Sequence, residues 1–404
     1  MADLLKIAAI MAVIVTLLRY KVPMAAVMPA GALLLGAIYL TPIPTLAAAA
    51  VHALIEPKSL EMTVTLILTM VMENILRTSG MLTRMVSSLS GVLSDRRIVM
   101  AAMPAMIGML PSPGGAYFSA PMVAEAAGEV KIPAEQKALI NYWYRHIWEY
   151  ISPLYPGIIL AAGITGISTR TFFLANLPFA LSVVLWGALF CFSGIPPRMD
   201  SPATERRTRR KELLSFLLMV SPIALALLLT VAFSISPVIS MGISIAALYA
   251  AHRYGPGAIL ANLKASVSPK ALFLVLGIMV FKEVLGVTGA LHGVSTSFAA
   301  SGLPVWLLVA LIPFVAGLVT GLTVGYVGIT FPLLLPLMGA GTPSPGLASL
   351  AFAAGFTGVM LSPVHLCYVL TCEYFHADVA RVYRRLLLPS ALVLAAAVLP
   401  LILF

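Results

Sequence analysis

Four interruptions in the apolar segments of this chain contain the residue types that bind small ions and anions in membrane proteins. Two are turns, at Leu110-Pro-Ser-Pro-Gly-Gly-Ala-Tyr117 and Thr320-Gly-Leu-Thr-Val-Gly325. The other two lie at Ser152-Pro-Leu-Tyr-Pro-Gly157 and Ser362-Pro363. Proline and glycine break helices, and a broken helix exposes unpaired backbone groups. Helix N-termini favour anions, and exposed carbonyls coordinate small cations.

The candidate ligands are the hydroxyl, glycine and histidine residues at these interruptions. Short hydroxyls and carbonyls suit Na⁺ or the oxygens of a carboxylate. At any single position the more common role is structural, because serine and threonine cap broken helices and glycine permits close packing. The prediction therefore depends on the four-part arrangement. The predicted substrate- or ion-binding residues are Ser112, Gly114, Gly115, Ser119, Ser152, Tyr155, Gly157, Thr320, Thr323, Gly325, Thr357, Ser362 and His365.

Ionisable residues inside the apolar segments are few, and each is costly in a bilayer. Glu149 precedes one interruption and His365 lies in another, so both are candidates for coupling to an ion or proton. A hydrogen-bonded packing histidine is an equal alternative for His365. Lys282 and Glu283 are expected to form an ion pair with a neighbour. His146 and Glu149 have a spacing seen in metal sites, but no second such pair occurs, so no metal is predicted.

The composition excludes a soluble globular domain. Hydrophobic residues make up 60% of the chain and charged residues 10%, and the mean hydropathy is +1.02. Repeated apolar runs of bilayer-spanning length indicate a polytopic membrane protein. The net charge of +10 lies in short connections between these runs, which is typical of the positive-inside rule and not of nucleic-acid binding. The three cysteines have spacings that indicate neither disulfides nor a zinc site.

The second half of the chain repeats the first with a shift of about 210 residues, and paired breaks of this kind are typical of secondary transporters. Gly114 and Pro121 fall on Gly325 and Pro332, for example. The first predicted inverted repeat is 1–195, with a hairpin at 98–127 and a broken helix at 149–167. A basic cytoplasmic linker follows at 196–212. The second inverted repeat is 213–404, with a hairpin at 304–338 and a broken helix at 348–371.

Charge placement predicts the topology. With the basic linker inside, the positive-inside rule gives about ten transmembrane helices, two re-entrant hairpins entering from opposite faces, and both termini outside. Segments 81–93 and 133–148 are predicted to be interfacial helices. Lys58 and Arg170 are the only basic residues clearly on the wrong side. The predicted fold class is an all-α polytopic membrane protein with two inverted-topology repeats and two discontinuous helices.

The segments Met109–Tyr117 and Met360-Leu-Ser-Pro-Val-His-Leu-Cys367 resemble a membrane family of unknown function, domain of unknown function 401. The chain is more distantly similar to the ion transporter superfamily, which includes gluconate, citrate and dicarboxylate permeases. That resemblance implies homodimers, elevator-like movement, and carriage of organic anions coupled to Na⁺ or H⁺. The Ser-Asn-Thr triplet of dicarboxylate carriers does not occur in this sequence. Substrate and coupling ion therefore cannot be transferred.

The sequence predicts a secondary active transporter that moves a small organic anion, a carboxylate, by elevator-type alternating access. Its partners are Na⁺ or H⁺, the lipid bilayer of the prokaryotic cytoplasmic (inner) membrane and a second copy of the chain. No cofactor is predicted beyond Na⁺ as a coupling ion. The alternative is a cation/proton antiporter, which a pair of acidic residues at the breaks would favour. A membrane enzyme would need a nucleophile–base pair, for which only Ser362 and His365 are near each other.

Overall fold

The computed structural model describes residues 2–20, 22–109, 111, 115–197, 206–290, 302–339, 342–397, 399 and 401. Every regular element in these ranges is a helix: there are nineteen α-helices, one 3₁₀ helix and no β-strand. The predicted fold class of an all-α polytopic membrane protein is confirmed. Ser112 and Gly114, two of the predicted ligands, lie outside the described residues.

The first half contains ten α-helices, and a 3₁₀ helix at Ile147–Tyr150 follows the eighth. They are α1 (Ala2–Arg19), α2 (Met24–Ile38), α3 (Ile43–Ile55), α4 (Pro57–Thr78), α5 (Met81–Val92), α6 (Arg96–Ile107), α7 (Gly115–Ala127), α8 (Ala134–Arg145), α9 (Pro156–Thr165) and α10 (Thr169–Phe190). The second half contains nine among the described residues. They are α11 (Arg206–Val231), α12 (Pro237–Ala251), α13 (Pro256–Ser266), α14 (Pro269–Val287), α15 (Val305–Thr320), α16 (Thr323–Met338), α17 (Pro345–Met360), α18 (Leu366–Phe375) and α19 (Val379–Ala395).

Local sequence accounts for many of the helix boundaries. Proline occupies the first turn of α3, α4, α9, α12, α13, α14 and α17, where its missing N–H costs nothing. The Ser168 hydroxyl accepts a hydrogen bond from the Thr171 backbone N–H and caps α10, as Asp378 does for α19. Gly166 ends α9 with a φ of +73°, a conformation that glycine adopts without strain.

Three described helices are long and apolar enough to cross a bilayer alone: Pro57–Thr78, Thr169–Phe190 and Arg209–Val231. Eight further apolar helices have 10–17 residues. At 1.5 Å per residue, a helix of that size is shorter than the roughly 30 Å of hydrocarbon. Several of the short helices form consecutive pairs along the chain. We call α6 with α7 the first hairpin and α15 with α16 the second hairpin, while α8 with α9 and α17 with α18 are discontinuous helices.

Corresponding helices of the two halves make equivalent contacts with the opposite half. The second arm of the first hairpin, α7, packs against α18, and the second arm of the second hairpin, α16, packs against α9. In the same way α4 packs on α12 and α13, while α14 packs on α2 and α3. A pseudo-two-fold relation between repeated halves produces reciprocal packing of this kind. The opposite membrane orientations of the halves and the repeat boundaries stay predictions.

The first discontinuous helix begins earlier than predicted. Segment 133–148 was expected to lie in the interface, and the broken helix was expected to start at 149, but α8 begins at Ala134 and is its first arm. Asn141, Tyr142 and Arg145 on α8 are buried, so this helix lies inside the protein. Its polar side chains suggested a wet surface because a sequence pattern cannot distinguish contact with water from contact with buried polar partners. The short helices α3 and α13 were also not predicted.

The most deeply buried helix is α17, in which every residue from Ala348 to Met360 is buried. It crosses α15 at glycines on both helices. A Cβ atom on Gly358 would lie 2.1 Å from the Phe314 carbonyl oxygen, and one on Gly317 would lie 2.0 Å from the Gly355 carbonyl oxygen. Small residues allow this close backbone approach, which replaces the hydrophobic effect as a source of stability in lipid. The second hairpin is therefore anchored on a rigid central helix.

Candidate functional site

A cavity of about 490 Å³ lies where the hairpins meet the first discontinuous helix. We call it the central cavity. Pro111 lines it from the tip of the first hairpin, and Leu322 to Gly325 line it from the tip of the second. Tyr155 to Gly157 contribute the break between α8 and α9, which we call the first break. The volume is in the range of small-molecule sites. Three of the four interruptions found in the sequence therefore line one cavity.

The tip of the second hairpin is in close contact with both breaks. A Cβ atom on Gly157 would lie 2.4 Å from Thr323 Cγ2, so a larger residue at this point of the first break would displace the Thr323 side chain. Gly321, with a φ of +62°, lies against the second break at residues 361–365, and its own Cβ would be 3.0 Å from Ser362 Oγ. The first hairpin is attached too, because the Tyr155 hydroxyl donates to the Gly108 carbonyl oxygen.

Several predicted site residues line the central cavity, and others do not. Tyr155, Gly157, Thr323, Gly325 and the coupling candidate Glu149 line it. The described candidates that do not line it are Gly115, Ser119, Ser152, Thr320, Thr357, Ser362 and His365.

The two serines at the breaks have the same local role. The Ser152 hydroxyl accepts from the Leu154 N–H at 3.3 Å, and the Ser362 hydroxyl accepts from the Val364 N–H at 3.4 Å. Each side chain thus holds the turn of its own break. The structural role that the sequence left open is the one observed for both hydroxyls.

Ser119 belongs to a buried polar network between α7, α8 and α18. Its hydroxyl donates to Asn141 Oδ1 at 2.6 Å. The Asn141 amide nitrogen in turn donates to the Ala116 carbonyl oxygen at 2.9 Å and to Thr371 Oγ1 at 3.0 Å. All four groups are buried, so the network satisfies polar atoms that water does not reach. It joins the first hairpin to discontinuous helices of both halves.

Glu149 connects the first break to the second hairpin. Its carboxylate accepts a hydrogen bond from the Thr323 hydroxyl at 3.2 Å. Arg145 Nη1 lies 3.6 Å from the same side chain and His146 Nε2 lies 3.8 Å from it. Thr323 and Arg145 therefore hold the carboxylate from two elements, and the chain separates Thr323 from Glu149 by 174 residues. A change in its charge would alter contacts on both elements.

The sequence reasoning missed Arg145. Its side chain lines the central cavity, although only 2% of the residue is exposed. A buried guanidinium at membrane depth is costly and is typically kept for function. The available signal was the spacing of four residues between Arg145 and Glu149 directly before a Ser-Pro break. Glu73 and Arg77 on α4 also line the cavity, which thus contains two cationic and two acidic side chains.

His365 lies in the second break, and its side chain contacts groups other than the Ser362 hydroxyl. Its Nδ1 atom is 3.0 Å from the Tyr142 hydroxyl and 3.2 Å from the Val359 carbonyl oxygen. Among the hydrogen bonds of the described residues, none joins the Ser362 and His365 side chains. The nucleophile–base pair that a membrane enzyme would need is not formed in this arrangement.

The predicted ion pair of Lys282 is present at the contact of α3 with α14. Lys282 Nζ lies 3.4 Å from Glu56 Oε2 and 3.2 Å from Glu283 Oε1. His52 Nδ1 lies 3.3 Å from Glu283 Oε2. None of these residues lines the central cavity, so the cluster joins neighbouring helices.

A second cavity of about 300 Å³ lies beside α4 and α9, two helices that also line the central cavity. Lys58 and Arg170 both line it, and they are the two residues that violate the predicted charge distribution. Arg170 Nη1 donates to the Ser234 hydroxyl at 2.6 Å. The two helices come close at the wall of this cavity, where a Cβ on Gly163 would lie 2.9 Å from Met62 Sδ. The two misplaced charges thus converge on one place in the structure.

A known protein structure shares the fold described above. The chain is similar to the Alcanivorax borkumensis YdaH transporter, whose crystal structure is described as revealing an unusual topology. The two share 14% sequence identity with a TM-score of 0.61, over 93% of this chain and 96% of the other. At this identity the likeness shows a common fold. No curated protein sequence matches the chain. Residues 2–403 match a family described as a protein of unknown function, and the chain therefore belongs to the DUF401 family.

Proposed function

We propose that this protein is a secondary active transporter for a small organic anion, a carboxylate. The observation that supports this most directly is the central cavity, in which the buried Arg145 meets the second hairpin tip and the first break. A guanidinium presents a planar fork of donors that matches a carboxylate. The fold shared with a transporter supports transport more generally.

The ends of two helices add to the attraction for an anion. Both α9 and α16 begin at the central cavity, with Pro156 and Thr323 as their first residues. A helix N-terminus carries unpaired N–H groups and roughly half a positive charge. Half-helices that point their N-termini at a bound anion are a recurring design in transporters. The carboxylate would lie between these ends and the Arg145 guanidinium.

Glu149 is the proposed coupling residue. As an ion it accepts from Thr323 and pairs with Arg145. Protonation, or coordination of Na⁺, would weaken both contacts, release Arg145 toward the substrate and loosen the second hairpin from the first break. This links the charge of one side chain to both substrate binding and hairpin position. His365 remains a candidate for coupling through its neighbours and does not line the cavity.

The two cavities support alternating access. The central cavity extends to Ser266 and Ser268, in a connection predicted to be cytoplasmic. The second cavity contains Lys58 and Arg170, which are predicted to be external. In the proposed mechanism this structure is the inward-facing state, and elevator-type movement of the hairpins and discontinuous helices opens the site toward the second cavity. A homodimer would provide the fixed scaffold.

The test is uptake into proteoliposomes. Purified protein is assayed with a panel of radiolabelled mono-, di- and tricarboxylates, with an imposed H⁺ gradient, an imposed Na⁺ gradient, or neither. We expect gradient-dependent uptake of at least one compound, which Arg145→Gln reduces at least 100-fold. The matched control is Arg253→Gln, which removes an arginine from an exposed connection and should leave uptake unchanged. Absence of gradient-dependent uptake for every compound would refute the proposal.

One observation favours cation/proton antiport as a second candidate. Glu73 on α4 lines the same cavity as Glu149, so the cavity contains two acidic residues, of which only Glu149 is beside a break. Each has an arginine nearby in the cavity, which reduces the negative charge available for a cation. A pH-sensitive dye inside liposomes separates the candidates. Antiport would give Na⁺- or K⁺-driven proton flux without any organic anion, and Glu73→Gln would abolish it.

A further inference from the structure

Three buried side chains with soft or borderline ligand atoms meet beside the central cavity. A ring nitrogen of His146, a ring nitrogen of His365 and the Cys367 sulfur all lie within 4.8 Å of one another. Each residue is less than 10% exposed. His146 follows α8, whereas His365 and Cys367 lie at the start of α18 in the other half. A sequence pattern on one helix therefore could not reveal the cluster.

The hydrogen bonding of His146 leaves one nitrogen available. Its Nδ1 atom is 2.6 Å from the Tyr142 carbonyl oxygen, and a carbonyl only accepts, so Nδ1 carries the proton. Nε2 is then an unprotonated lone pair. Within the described residues this buried atom has no hydrogen-bond partner. Burial of an unsatisfied acceptor is unfavourable, so such an atom calls for an explanation.

The same tyrosine orients His365. The Tyr142 hydroxyl donates to the Met360 carbonyl oxygen at 2.9 Å, so toward His365 it acts as an acceptor. Val359 supplies a second acceptor for the same ring atom, Nδ1. With the proton on Nδ1, the lone pair of His365 is on Nε2. Metal-binding histidines are typically held this way, with the second ring nitrogen donating to a carbonyl or another oxygen.

We propose that His146, His365 and Cys367 form a binding site for a soft metal ion, of which Zn²⁺ is the representative. Imidazole nitrogen and thiolate sulfur are the ligands that Zn²⁺ prefers. With Zn–N near 2.0 Å and Zn–S near 2.3 Å, tetrahedral ligands lie roughly 3.3–3.8 Å apart, so the cluster contracts by about 1 Å on binding. The Glu149 carboxylate, 3.8 Å from His146 Nε2, lies beside the open fourth position.

The charges of the site are balanced by its own residues. Binding displaces the Cys367 thiol proton, and the thiolate and the Glu149 carboxylate supply two negative charges for Zn²⁺. Arg145, which pairs with Glu149, opposes the ion. Removal of that positive charge by Arg145→Gln should therefore tighten Zn²⁺ binding, which is the opposite of its expected effect on a carboxylate. The ion would join the two discontinuous helices and would bind the carboxylate of Glu149, the proposed coupling residue.

Metal binding can be measured without any transported substrate. Metal-free protein in detergent receives one equivalent of Zn²⁺ or Co²⁺, and the retained metal is counted after gel filtration. We expect one ion per chain and, with Co²⁺, a thiolate-to-metal charge-transfer band. Cys367→Ser should abolish the band and weaken Zn²⁺ binding at least tenfold, as should His146→Gln. The controls are Cys191→Ser and Cys372→Ser, which remove the other buried cysteines and should retain both signals.

A second measurement uses the unmodified protein in case the variants do not fold. Cys367 lines the central cavity, so a small maleimide should alkylate it, and stoichiometric Zn²⁺ should protect it while Mg²⁺ does not. The proposal is overturned if no ion is retained, if the Co²⁺ band survives in Cys367→Ser, or if Zn²⁺ gives no protection. An effect of Zn²⁺ on uptake would depend on the proposed transport function, but these binding results do not.

Discussion

The close crossing of α15 and α17 makes a sharp prediction for a single methyl group. In Gly358→Ala the new Cβ would lie 2.1 Å from the Phe314 carbonyl oxygen and 2.9 Å from the Leu318 amide nitrogen. Both neighbours are backbone atoms and cannot rotate away. The helices must therefore separate by about 1 Å to reach ordinary contact, which forfeits a quarter to a half of the dispersion energy of the contacts they share.

Overpacking of this kind typically costs about 1–3 kcal/mol, and the better helix propensity of alanine returns up to about 1 kcal/mol. Because backbone atoms are involved, we expect a net loss of about 2 kcal/mol in the free energy of unfolding. The matched control is Gly242→Ala on α12, where a Cβ would meet nothing within 4 Å. It should be neutral or stabilising.

The assay is thermal unfolding in detergent, followed by circular dichroism and by retention on gel filtration. We expect the unfolding midpoint of Gly358→Ala to lie several degrees below that of Gly242→Ala. Equal midpoints for the two variants would refute the close approach of α15 to α17. They would also remove the basis for treating the second hairpin as anchored on a rigid central helix.

Three further predictions concern polar contacts between side chains. Asn141→Leu leaves two buried hydroxyls without their partner and should destabilise the protein by about 2 kcal/mol, measured by the same thermal assay. Lys282→Gln disrupts a partly exposed ion pair away from the cavity, so it should cost no more than about 1 kcal/mol and leave uptake unchanged. Glu149→Gln should give uptake that no longer responds to an imposed gradient. Thr323→Val should retain coupling, with a shifted dependence of uptake on external pH. An unchanged gradient response in Glu149→Gln would exclude the carboxylate as the coupling group.

The second hairpin tip is the element that connects the candidate functions of this fold. It lies against the first break at Gly157 and the second break at Ser362, and its Thr323 hydroxyl donates to Glu149. A ligand or proton that changes the charge balance at Glu149 therefore acts on a segment that contacts both discontinuous helices. Alternating access requires such a connection between the binding event and a movable element.

Local features of the chain were sufficient to predict much of the architecture. Membrane residence follows from composition, and the hairpin turns and breaks follow from proline and glycine, whose effect on a helix is local. The hairpin predicted at 304–338 corresponds to α15 and α16, and the interruption at Ser362-Pro363 separates α17 from α18. Membership of the DUF401 family, suggested by the residues at Met109–Tyr117 and Met360–Cys367, is confirmed.

The tertiary structure decided which residues form the sites. Arg145 and His146 lie in a segment whose polar pattern suggested an interface, yet both residues are buried inside the protein. His365 and Cys367 reach His146 across more than 200 positions of sequence, and Thr323 reaches Glu149 across 174. A sequence pattern shows only which residues share a helix face. Burial and the meeting of side chains from two repeats depend on how the helices pack, and these decide which charges face water and which face one another.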